Sequence, residues 1–157
     1  MLRLTIAAAF SSALGALAPA AADGAAFTHV SCKGAPNEIR VTIKGVKKSV
    51  GLMTAELYRN EPDHFLKKTG REFRVRFAAH APLTQFCLTA PAAGKYAIVA
   101  YHDRNANLKF DKNPFGLPAE PYGVSQNPTI RLAPPPIEET LVEVDGAGAA
   151  IEIRLKD

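Results

Sequence analysis

The chain is most constrained by what it has little of. Only two of its 157 residues are cysteine. Beyond the N-terminal segment no apolar run approaches the about 20 residues that a membrane-spanning helix needs. The four histidines, His29, His64, His80 and His102, stand at no zinc-ligand spacing with one another or with a cysteine. Gly-x-Ser-x-Gly, phosphate-loop and dinucleotide-binding signatures are all missing. Charge of one sign is also scarce. The formal balance is +4, the basic residues are spread along the chain, and they are not interleaved with aromatics. Nucleic acid is therefore not an expected partner. The separation of Cys32 from Cys87 excludes a catalytic CxxC pair.

The N-terminus has a different character. MLRLTIAAAFSSALGALAPAAADG carries one basic residue, Arg3, then an Ala/Leu-rich run, then small residues. That layout predicts a secretory signal peptide over residues 1–22, cleaved after Ala20 or Ala22. Residues 23–157 then form one domain, periplasmic or secreted, with no transmembrane segment. An oxidising compartment predicts a disulfide between Cys32 and Cys87, worth up to about 4 kcal/mol by chain entropy. Two buried free thiols are the competing expectation.

The remaining chain reads as strands. IRVTIKG (39–45), VGLMTAELY (50–58), FRVRFAA (73–79), TQFCLTA (84–90), KYAIVAYHD (95–103), TLVEV (140–144) and AAIEIRL (149–155) alternate or run apolar. DGAG between the last two is a hairpin signal. About seven short strands predict an all-β fold, an immunoglobulin-like or transthyretin-like β-sandwich. The 95–103 strand is apolar enough to be buried on both faces. In REFRVRF (71–77) the alternation predicts a solvated basic face, against the alternative of an anion- or lipid-binding stripe. Residues 59–72 read as a charged loop with one helical turn near 63–68. Residues 112–136 hold seven of the twelve prolines, which forbids a core strand along their length. They also hold Phe115, Leu117, Tyr122, Val124, Ile130 and Leu132, which predicts an ordered loop packed on the sandwich.

YHDRNANLKFDKN (101–113) contains the one candidate metal motif. Asp103, Asn105 and Asn107 alternate, with Asp111 four further on. Calcium takes six to eight oxygens at about 2.3–2.6 Å. Asp103, Asn105, Asn107, the Lys109 carbonyl and Asp111 supply most of such a set, with Glu120 the nearest carboxylate to complete it. The order of ligands resembles the calcium loops of some extracellular immunoglobulin-like modules. Two features oppose it. Leu108 stands where such loops have glycine, and Pro114 stands where they have a bidentate acid. Any calcium site is expected to be weak. The alternative is an Asx-turn hairpin that needs no ion. His102 precedes Asp103 on a strand, so the two side chains face opposite ways and make no catalytic pair.

From Gly94 onward the pieces GKYAIVAYHDRNANLKFD, FGLPAEPYGVS and PPPIEETLVEV resemble a bacterial family of small exported proteins, catalogued as domain of unknown function 2141. The resemblance implies an immunoglobulin-like β fold outside the cytoplasm and no particular reaction. Two departures stand out. The family's Asx stretch has glycines where this chain has Ala106 and Leu108, and a glycine precedes its proline pair where this chain has Ala133.

The expected function is a non-enzymatic secreted or periplasmic module, with calcium bracing as an option, that binds an unidentified ligand or partner of the cell envelope. Its surface would be the Asx stretch and the Pro-rich loop, with Tyr101, Phe115 and Tyr122 as binding residues. One rival is a hydrolase of envelope carbohydrate or peptide using Asp103 and Glu120, which requires a cleft holding both carboxylates. Another is a purely structural envelope protein without a metal. Ser125 carries no sign of an activating base and reads as a turn serine.

Overall fold

The computed structural model describes residues 31–130 and 133–157. The expected signal segment, and Leu132 of the Pro-rich loop, lie outside the described residues. The architecture is all-β and built of two sheets. The strands are β1 (Glu38–Lys44), β2 (Leu52–Arg59), β3 (Arg71–Ala78), β4 (Leu83–Thr89), β5 (Gly94–Asp103), β6 (Tyr122–Val124), β7 (Leu141–Val144) and β8 (Ala149–Arg154). One sheet has the order β4-β1-β8. The other runs β3-β2-β5-β6, with β7 also pairing β5. β1 is antiparallel to β4 and parallel to β8.

Alternation along the strands builds the core. Ile39, Val41 and Ile43 of β1, Phe86 and Leu88 of β4, and Ile153 of β8 face Met53, Ala55 and Leu57 of β2 and Ile98 and Ala100 of β5. Because side chains alternate, Thr54, Glu56 and Tyr58 of β2 and Val99, Tyr101 and Asp103 of β5 lie on the outer face of the larger sheet. That face is covered too. Tyr58, Ala97, Val99, Val124 and Ile137 form a second apolar cluster with Phe65, Ile130 and Leu141 packed against it. The strand expected to be buried on both faces is therefore β5, the centre of its sheet.

Among the described residues of the Pro-rich segment, Val124 and Ile130 pack on the outer sheet face as expected, Phe115 and Leu117 stay exposed, and the segment also contributes a strand. Tyr122–Val124 pairs with residues 99–101 of β5, in the longest gap between its prolines. Gly123 permits this: a Cβ there would lie 2.6 Å from the Arg154 carbonyl oxygen. In residues 59–72 the single helical turn expected is replaced by two short 3-10 turns, Pro62–His64 and Lys68–Gly70. Leu66 between them has φ of 61°, which no right-handed turn can pass through. Cys32 and Cys87 are joined in a disulfide with a Cα–Cα distance of 5.1 Å, tying the N-terminal segment to β4.

The solvated basic face expected of β3 is a correction. Arg74 and Arg76 are half-buried rather than free in water. Arg74 is ion-paired to Glu56 across the sheet, and Arg76 donates to the Leu108 carbonyl at 3.1 Å. Arg74 is held by its partner on β2, and Arg76 by the Asx stretch, which folds back over this end of the sheet.

Candidate functional site

The Asx stretch leaves β5 at Asp103, whose side chain is fully buried. Burying a carboxylate requires partners, and the loop supplies them. Asp103 Oδ1 accepts the Asn107 N–H at 3.1 Å and Oδ2 accepts the Leu108 N–H at 2.8 Å. Asn105 Oδ1 accepts the Asn107 N–H and Asn107 Oδ1 accepts the Lys109 N–H, two successive Asx turns. The side-chain amides of Asn105 and Asn107 both donate to Asp111 Oδ2, at 2.9 and 2.8 Å. Glu120 closes the loop from the other side, accepting the N–H groups of Arg104 and Asp111. Ala106 and Leu108 take φ of 56° and 66°. Neither is glycine, so both residues take this conformation at a steric cost. Gly51 fits against the same strand end, where a Cβ would lie 2.2 Å from the Asp103 carbonyl oxygen.

The two acids at the rim are tuned in opposite directions. The Asn107 and Asn105 amides hold the Asp111 carboxyl below the usual aspartate range. Burial first, and then the charges of Asp103 and Asp111 against its backbone N–H bonds, push Glu120 up. The carboxylates of Asp103, Asp111 and Glu120 do not gather within 4.8 Å as a trio. Among the described residues the only such group is Cys32, Glu38 and Cys87, whose sulfurs are joined in the disulfide.

Between this loop, the Pro-rich segment and the outer face of the larger sheet lies a cavity of about 580 Å³. Its aromatic wall is a run of rings: Tyr101 to Phe110 at 5.1 Å between centroids, and Phe110 to Tyr122 at 5.8 Å. Val99 and Val124 continue the floor. On the β3 side, Glu56 is buried and accepts Arg71 at 3.1 Å and Arg74 Nε at 2.6 Å on the same oxygen. The Tyr58 hydroxyl donates to its other oxygen. Burial, with Glu56 next, pushes the Tyr58 phenol well above the usual tyrosine range.

The residues singled out from sequence fall into two groups. Asp103, Asn105, Asn107, Asp111 and Glu120 come together in one hydrogen-bonded loop, with Lys109 contributing its N–H. Tyr101 and Tyr122 come together at the cavity. Phe115 does not join them. It is 88% exposed at the tip of a turn fixed by the Asn113 side chain. Phe110 and Glu56 were not singled out. A signal for Glu56 existed, since it is the one acidic residue in the strand opposite REFRVRF. Ser125 is buried, accepting the Ile98 N–H at 2.9 Å and donating to the Thr140 carbonyl. His102 is buried on the inner face, with Nε2 2.6 Å from the Val50 carbonyl oxygen.

No helix among the described residues is long and apolar enough to cross a membrane. No curated protein and no solved structure matches the chain. A family model described as an uncharacterised protein conserved in bacteria matches residues 41–152, a span that takes in the sheets, the Asx loop and the cavity. The chain thus belongs to the bacterial family catalogued as domain of unknown function 2141.

Proposed function

We propose that the protein is a non-catalytic, exported ligand-binding module of the bacterial cell envelope, with the cavity over the outer sheet face as its binding site. The observation that carries this reading is the cavity itself. Its volume of about 580 Å³ falls in the range of about 300–1,000 Å³ typical of small-molecule sites, and a mostly apolar lining with a few polar groups is the usual composition. The disulfide and the signal-like N-terminus support export. The hydrolase alternative is less well supported. Asp103 and Glu120 are engaged by backbone N–H groups and neither lines the cavity. The raised Glu120 value favours a proton donor, but the carboxylates acting on it, Asp103 and Asp111, are taken up by donors of the loop. A purely structural role leaves the cavity unexplained.

The test is native mass spectrometry of the oxidised protein isolated from an exporting bacterium. The reading predicts a small molecule retained at one per chain and lost in Leu117→Trp, which narrows the cavity from an exposed position. A protein free of any adduct that also binds nothing from a small-molecule library contradicts it.

Calcium bracing of the Asx loop is the second reading, favoured by one observation. Leu108, at the place of the loop's usual glycine, takes the left-handed conformation such a loop requires. Asp103, Asn105, Asn107, the Lys109 carbonyl, Asp111 and Glu120 would hold the ion, which would replace the two amide donors now facing Asp111. Thermal unfolding in EDTA and in millimolar calcium, with magnesium as control, decides it. A ligand at a hundred times its dissociation constant adds about 2.7 kcal/mol. A calcium-specific rise lost in Asp111→Ala supports the metal. An unchanged midpoint leaves the loop a hydrogen-bonded turn.

A further inference from the structure

The chemical class of ligand follows from how charge is distributed around the cavity, and this step rests on the cavity being the binding site. Among the described residues five cationic side chains line it, Lys68, Arg71, Arg74, Lys109 and Lys112, against one carboxylate, Glu56. Glu56 lies between Arg71 and Arg74, and each guanidinium has five donors, so unused donors remain on both. Lys68, Lys109 and Lys112 make no ion pair among the described residues. The basic excess is therefore not consumed within the fold.

The sheet order sets a direction to this charge. Moving from β3 to β2, β5 and β6, the lining changes from Arg71 and Arg74, to Glu56 and Tyr58, to Val99 and Tyr101, to Tyr122 and Val124. Three strand spacings of about 4.8 Å make this a fall from cationic to apolar over roughly 14 Å. We propose that the cavity binds a single-chain amphiphile with one anionic head, a carboxylate or a phosphate. The head meets Arg71, Arg74 and Lys68 at the β3 end, and the apolar body lies over Tyr101, Phe110 and Tyr122, with Lys109 and Lys112 exposed on either side of Phe110. A molecule with no charge would leave the basic end unpaired. A fully polar anion would waste the apolar floor. A bilayer surface is a poorer occupant, because Tyr58, Val99, Tyr101 and Val124 are all less than a tenth exposed and lie beneath the loops rather than on a flat face.

The test is isothermal titration of the oxidised mature protein with decanoate and with decanamide, which share a chain and differ in charge. Sedimentation with phosphatidylglycerol vesicles is a third arm. Decanoate is expected to bind at one per chain, about tenfold or more tighter than decanamide, with the difference shrinking as salt is raised. Replacing the exposed lysines together (Lys68→Ala, Lys109→Ala, Lys112→Ala) should bring decanoate close to decanamide without moving the unfolding midpoint. Equal affinities for decanoate and decanamide overturn the anionic class and leave the cavity as a binding site. Absence of binding by both ligands overturns the amphiphile, and the cavity reading then stands or falls on the retained adduct seen by native mass spectrometry. Vesicle binding without decanoate binding replaces the amphiphile with a membrane surface.

Discussion

Asp103 holds Leu108 in the left-handed region: its Oδ2 accepts the Leu108 N–H at 2.8 Å while Leu108 sits at φ of 66°. The carboxylate is fully buried and the leucine is 43% exposed. One residue is thus fixed by need of a donor, and the other is bent to provide it. The Leu108 carbonyl is in turn held by Arg76, so the same pair anchors the Asx loop to β3 beside the cavity.

The first prediction concerns Leu108. A left-handed leucine costs about 1–2 kcal/mol, and a glycine gives back roughly 0.5–1 kcal/mol in backbone entropy. Leu108→Gly should raise stability by about 0.5–1 kcal/mol, read from thermal unfolding, and Leu108→Val should lower it. A loss in the glycine variant would mean that the side chain packs more than its exposure suggests.

Asp103→Ala should act in the opposite sense. It removes the acceptor of both the Asn107 and the Leu108 N–H groups. A donor left unpaired costs about 1–3 kcal/mol, and water can reach the outer part of this loop. Urea unfolding should show a loss in that range. A neutral substitution would dissociate the carboxylate from the loop's conformation.

The two rim acids give opposite pH dependences. Asp111 is held below its ordinary value by the Asn107 and Asn105 amides. Its contribution is present above the unfolded pKa and is lost as pH falls through the folded one. Glu120 is raised by burial and by Asp103 and Asp111. The unfolded chain then releases that proton first, so stability declines as pH rises from the unfolded value to the folded one. Carboxyl NMR titration should place Asp111 below and Glu120 above their ordinary values. Asp111→Asn should make the acid limb of the stability curve shallower.

Glu56 ties the cavity's basic end to the sheet. Glu56→Ala leaves Arg71 and Arg74, with side chains 19% and 25% exposed, without their shared counter-charge, and the Tyr58 hydroxyl without its acceptor. Breaking a buried pair costs about 3–5 kcal/mol. The partial exposure of the arginines places the expected loss at the lower end, measured by urea unfolding. Glu56→Gln should lie between, because it keeps an acceptor and loses the charge.

Periodicity made much of this fold legible. The alternation of β1 and the apolar run of β5 appear where the sequence placed them. DGAG does form a turn, with the Gly148 N–H donating to the Asp145 carbonyl at 2.9 Å. The hairpin expected there is a correction: β7 pairs with β5 and β8 with β1, so the turn carries the chain from one sheet to the other. The Asx stretch was legible as a self-bonding loop because alternate Asp and Asn carry their acceptors at fixed reach from the backbone. The three-residue strand β6 was hidden, since its pairing to β5 is decided by tertiary contact rather than by local pattern. The burial of β3's arginines was hidden for the same reason: Arg71 and Arg74 are held by Glu56 on the next strand, and Arg76 by a loop more than thirty residues away. Phe110 sits in a charged stretch where nothing in its neighbours marks it as a wall of a cavity. Tyr101 and Tyr122 were visible as aromatics, but their convergence required the pairing of β5 with β6.

The most direct test of the account is an amide NMR titration of the oxidised protein with decanoate. The account predicts that the shifts concentrate at Arg71 and Arg74 of β3, Val99 and Tyr101 of β5, and Tyr122 and Val124 of β6. Shifts confined to the β4-β1-β8 sheet, or spread evenly over the surface, would contradict it.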